Sequence, residues 1–138
     1  MQHEEAFIRA FVRRDKRNLI LDWLGEPRED FLAMLFDMPL DERYVEVLDP
    51  RMPLVEYAKR REAHTDKIHS LLRDRGAPSR CYVISLNNPF DGQEVDLPEV
   101  LGTVVGELDD TLLSCLPGRL VYGEDHHPNQ RFILERRQ

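Results

Sequence analysis

The sequence predicts an α+β fold: an N-terminal layer of short helices followed by a small, mainly antiparallel four-stranded sheet with one helix packed on it. Three observations predict it. Apolar pairs recur at helical spacing through the first 40 residues. A longer run at helical spacing follows, over 54–75. Beyond Gly76-Ala77-Pro78-Ser79 the texture changes to short β-rich runs separated by turn formers. At 138 residues the chain fits one domain, 1–138, with a mainly helical part over 1–75 and a sheet-containing part over 80–138.

The helical layer rests on three segments that share one pattern. Phe7, Ile8, Phe11 and Val12 are followed by Leu19, Ile20, Trp23 and Leu24, and then by Phe31, Leu32, Leu35 and Phe36. Each set is spaced i, i+1, i+4, i+5, which on a 3.6-residue period places the apolar side chains on one stripe. Gly25 suits the position just past a helix, and Pro27 suits the first turn of the next. Tyr44 to Leu48 alternates weakly, as a short strand or an irregular edge would. From Leu54 to Arg75, Leu54, Tyr57, Ala58, Ile68, Leu71 and Leu72 fall at helical spacing around a charged middle, and Gly76 and Pro78 stop that helix.

In the second part, Cys81 to Leu86 reads as a strand, and Asn87 to Gly92 as a connecting turn. Pro98 opens a helix that runs to about Gly106. Leu112 to Leu116, Arg119 to Tyr122 and Arg131 to Leu134 are three further strands. Their short connections, including the Pro117-Gly118 turn, favour antiparallel neighbours, because parallel ones need crossovers of a dozen or more residues.

Composition narrows the class of function. The net charge is −7, and residues 81–138 carry 10 acidic side chains against 4 basic ones. Phosphate backbones attract clustered cations, so this balance disfavours nucleic acid and anionic membrane, and favours a basic protein partner. No run approaches the ~20 apolar residues of a membrane span, and the opening Met1-Gln2-His3-Glu4-Glu5 lacks the order of a secretory leader. The expected compartment is the cytoplasm. Cys81 and Cys115 lie in apolar runs and read as core thiols, too few and wrongly spaced for a disulfide framework or a zinc finger. Phosphate loop, dinucleotide fingerprint, nucleophile elbow and zincin motifs are all missing in their standard forms.

Three groups of residues remain as candidates for chemistry. Glu124, Asp125, His126 and His127 are placed in the loop between the last two strands. Carboxylate and imidazole groups held on a loop suit acid/base work, or a transition metal with His126 and His127 as ligands. Asn87, Asn88 and Asp91 offer polar groups on the turn after the first strand. Arg9, Arg13 and Arg17 repeat at i, i+4, i+8 and form an anion-binding stripe if one helix continues past Asp15. No resident cofactor is expected.

The reading these residues favour is a non-enzymatic protein-binding or regulatory module of the adaptor, inhibitor or immunity-like kind, meeting its partner through an acidic C-terminal surface. The alternatives are a small metal-assisted or acid/base enzyme centred on Asp125, His126 and His127, and an anion or nucleic-acid binder using the arginine stripe. Homo-oligomerisation is compatible with the sequence, but nothing in it specifies a seam.

Overall fold

The computed structural model describes residues 2–48, 54–126 and 130–137, with side chains for all of these except 54–61. The first layer is helical: α1 (Gln2–Phe11), α2 (Arg17–Leu21) and α3 (Arg28–Leu35). Glu4 and Glu5 occupy the first turn of α1, where carboxylates oppose the partial positive charge of the helix start. The helix ends at Phe11 because Val12 turns extended and bridges Leu40. Arg13 N–H donates to Pro39 O at 2.9 Å and Asp41 N–H to Phe11 O at 2.7 Å. Phe7, Ile8, Phe11, Ile20, Phe31, Leu32 and Leu35 are buried, as their spacing predicts, whereas Leu19 is exposed.

Among the described residues the sheet has six strands, all antiparallel, in the order β1-β6-β5-β4-β2-β3: β1 (Val45–Leu48), β2 (Arg80–Ser85), β3 (Glu94–Asp96), β4 (Thr111–Leu116), β5 (Leu120–Asp125) and β6 (Gln130–Glu135). The expected four strands are the inner ones, and the two edges are additions. The weakly alternating run after Tyr44 is a strand because Val45 to Leu48 pairs with Leu134 to Arg131. Glu94-Val95-Asp96 is too short and too charged to show a period, and it is a strand through its pairing with β2. Between β4 and β5 the chain turns through Pro117-Gly118-Arg119. Gly118 takes a φ of 69°, and a Cβ there would meet Ala6 O at 3.4 Å, so the turn needs glycine both for its backbone and for its approach to α1.

Strand side chains alternate between two cores. Ile84, Leu112, Val121, Phe132 and Leu134 face α1, α2 and α3. Cys81, Val83, Leu113, Tyr122 and Ile133 face the opposite way, onto α4 (Leu54–Asp74) and α5 (Leu97–Val104), which lie side by side. Helices therefore cover both faces of the sheet, where the sequence suggests one helix on it. The reason is that β4, β5 and β6 carry apolar residues at consecutive positions, the mark of a strand buried on both sides. Asp96 caps α5 by accepting from Glu99 N–H at 3.1 Å, and Pro98 fits its first turn. Among the described residues no helix is long and apolar enough to cross a membrane.

Candidate functional site

One end of the sheet opens into a groove of about 1100 Å³ between β1, the segment that joins α3 to it, and the strand ends near Leu86, Asp110, Asp125 and Gln130. The fold makes this groove because α3 stops at Leu35 and the chain must cross from the helical layer to the sheet edge. That crossing leaves Phe36, Met38 and Leu40 only partly buried. Val47, 48% exposed, and Leu86, 36% exposed, complete an apolar lining. The charged lining comprises Asp37, Asp41, Glu42, Asp110 and Asp125 against Arg13 and Arg43.

Both arginines are occupied. Arg13 is bidentate on Asp15, at 2.6 and 3.1 Å. Arg43 is bidentate on Asp41, at 3.0 and 2.7 Å, and Asp41 also accepts from Arg43 N–H and stands 3.8 Å from Arg17 Nη2. The Arg43 guanidinium, reinforced by that backbone bond, holds the Asp41 carboxyl down at about 2. Asp110 accepts the backbone N–H of His126 at 3.0 Å, which pins the exit of β5. The groove is thus apolar at its walls and acidic in net charge.

A smaller cavity of about 240 Å³ lies beside the turn that follows β2. Asn87, Asn88 and Phe90 line it together with Thr103, Glu107 and Thr111. Asn88 Oδ1 accepts from Phe90 N–H at 2.8 Å, and Ser85 Oγ accepts the N–H groups of Asn87 and Asn88, so the turn is rigidly built. Asp91 is directed away from this cavity. It accepts from Ser85 N–H at 2.9 Å and holds Arg28 through two bonds, at 2.9 and 2.7 Å.

The Glu124 to His127 cluster is not brought together as a unit. β5 runs through Asp125, so Glu124 and Asp125 are strand residues with side chains on opposite faces, not neighbours in a loop. Glu124 is buried beneath the end of α5. It accepts from Gly106 N–H (2.7 Å), Leu108 N–H (2.8 Å) and Tyr122 OH (2.6 Å), and burial outweighs these bonds to raise its pKa. Asp125 lines the groove and His126 is exposed. His127 lies outside the described residues. Among the described residues no three His, Cys, Asp or Glu side chains gather as a metal-ligand set.

The three arginines do not share a helix, since α1 ends before Arg13 and Arg17 opens α2. Arg9 pairs with Glu5 at 3.7 Å, and Arg17 Nε donates to Val12 O at 2.7 Å. The cysteines are buried, and burial pushes the Cys81 thiol up to about 12 and that of Cys115 up as well, so neither presents a thiolate at neutral pH.

A polar network that the sequence reading did not single out lies between the helical layer and β2. Glu4 is fully buried, and its Oε2 accepts from the Tyr82 hydroxyl and from Arg28 Nη1 at 2.8 Å. Arg28 carries the link on to Asp91. His3 stacks on Tyr82 with ring centroids 4.5 Å apart and shares a hydrogen bond of 2.8 Å with Ser114 Oγ. Burial lowers the His3 pKa, and burial with the Glu4 bond lifts the Tyr82 phenol to about 12. The network ties α1, α3, β2 and the turn after it into one body.

No known protein family, curated protein or solved structure matches the chain.

Proposed function

We propose that the protein is a binding module whose groove receives an apolar, positively charged segment of a partner protein. The observation that carries this reading is the groove itself: exposed Val47 and Leu86 beside Phe36, Met38 and Leu40, with five carboxylates against two arginines that are each already paired. Contiguous apolar surface rimmed by charge is the ordinary form of a protein-interaction site. Excess carboxylates steer a cationic segment in and disfavour an anionic one. The acidic surface is therefore drawn from both parts of the chain, with Asp37 and Glu42 beside Asp110 and Asp125. Much of the remaining C-terminal charge is engaged locally, as in Glu94 with Arg80, Glu135 with Arg75, and Asp91 with Arg28.

The experiment is titration calorimetry against seven-residue peptides with valine or leucine at alternate positions and either lysine or glutamate between them. The lysine peptides are expected to bind, more weakly as salt rises, and the glutamate peptides are not. Replacing Asp37 and Asp110 together by asparagine should weaken binding by on the order of 0.5 kcal/mol per carboxylate, the usual value for pairs in contact with water. Equal binding of the two peptide sets, or none by either, would contradict the reading.

A further inference from the structure

We infer that the partner segment enters as an extended chain that pairs with the outer edge of β1 and becomes the next strand of the sheet; this rests on the groove being the binding site. The two sheet edges are built differently. At one end, β3 has three residues, two of them acidic. Glu94 is matched to Arg80 on the neighbouring strand, and Asp96 turns at once into the cap of α5. Such an edge is short, charged and interrupted, which are the devices that prevent strand addition.

At the other end, β1 has four residues and, among the described residues, β6 as its sole sheet neighbour. Its one charged residue, Glu46, is neutralised by Arg75 at 2.6 Å. Val45 and Val47 are two apart, so they project from the same face, and both line the groove. A strand laid beside β1 would share its pleat, so alternate side chains of that strand would enter the groove at its β1 end, next to Val45, Val47 and the segment from Met38 to Glu42. Main-chain bonds to β1 would give affinity, and the apolar walls with their carboxylates would select apolar and basic residues.

The same charges choose the partner. A second copy of this chain paired β1 to β1 would set one acidic rim against another, and like charges across an interface oppose association. A cationic strand from a different protein has no such conflict.

The test uses the seven-residue valine and lysine peptide in three forms: unmodified, N-methylated at its even positions, and N-methylated at its odd positions. In a strand added to an edge, one alternate set of N–H groups points at β1 and the other points at solvent. Binding by calorimetry should fall by about tenfold or more with one methylated set and change little with the other. Equal effects of the two sets, whether both are tolerated or both abolish binding, would overturn strand pairing while leaving the groove reading standing. Failure of the unmodified peptide to bind would overturn both. Sedimentation of the free protein should show a monomer. A dimer that the peptide disperses would overturn the choice of a different protein as partner.

Discussion

Replacing Gly123 with alanine sets a methyl group where the Phe132 ring lies. Gly123 and Phe132 are direct partners across β5 and β6, and a Cβ at Gly123 would stand 2.5 Å from Phe132 Cζ and 3.1 Å from Leu112 Cδ2. The first distance is nearly 1 Å short of the 3.4 Å at which ordinary contact begins. Phe132 is buried in the core under α1 and α3, so the ring has no solvent to swing into. A clash this deep against a ring without room to move falls at the upper end of the overpacking range, about 2–3 kcal/mol, and the better strand propensity of alanine returns roughly 0.5–1 kcal/mol of that. The net loss should be about 1–2 kcal/mol. Phe132→Leu alone should also destabilise, because it leaves a void over the glycine. In Gly123→Ala/Phe132→Leu the methyl occupies part of that void, and the double variant should be more stable than the sum of the singles by about 1 kcal/mol. Urea unfolding followed through Trp23 fluorescence and far-ultraviolet dichroism measures all four proteins. A neutral Gly123→Ala, or strictly additive changes, would refute the steric argument.

Further outcomes follow from the charges at Glu124, Arg28 and Asp41. Glu124→Ala leaves the N–H groups of Gly106 and Leu108 without their acceptor and takes a carboxylate from beside Arg131, so it should cost about 3–5 kcal/mol in urea unfolding. Because burial raises the Glu124 pKa above its usual 4.5, the native protein holds that proton more readily than the unfolded chain does. The stability this group contributes therefore falls as pH rises from 4.5 through the raised value, and Glu124→Gln should remove that slope from the pH dependence of the unfolding midpoint. Arg28→Met strands the buried Glu4 carboxylate and should cost about 3–5 kcal/mol. Glu4→Gln combined with Arg28→Met should cost less than the sum, and hydrogen exchange at Ser85 N–H should quicken as Asp91 is released. Asp41 has a depressed pKa, so its contribution is complete above 3.8 and is lost as pH falls through about 2. Asp41→Asn should lower stability at neutral pH and reduce the loss seen over that acid window.

The amphipathic elements were legible because their periods survive in the sequence. The stripes through Phe7, Ile8 and Phe11, through Phe31, Leu32 and Leu35, and through Ile68 and Leu72 all became core, and the four inner strands fell where β-rich runs met turn formers. The edges were not legible, since β1 and β3 are defined by what they pair with and carry only weak alternation. The candidate residues were legible as polar types and not as a geometry. Adjacent Glu124 and Asp125 look like a cluster, but a strand sends successive side chains to opposite faces. The Glu4 network did leave a trace: positions 4, 7, 8 and 11 are the core-facing i, i+3, i+4, i+7 set of α1, and an acid at one of them signals a buried partner. Which partner it was, Arg28 or Tyr82, depends on the packing of α3 and β2. The groove left no comparable trace, because Met38, Val47, Leu86 and Asp110 come from four segments and meet through the fold alone.

The most direct test of the central claim is a nuclear magnetic resonance titration of isotope-labelled protein with the valine and lysine peptide, followed amide by amide. Saturable shifts should concentrate at Val45, Val47, Leu86, Asp110 and Gln130, with Asn87, Asn88 and the α5 amides left nearly unmoved. Shifts confined to the smaller cavity around Asn87, Asn88 and Thr103, or no saturable shifts at all, would contradict the account.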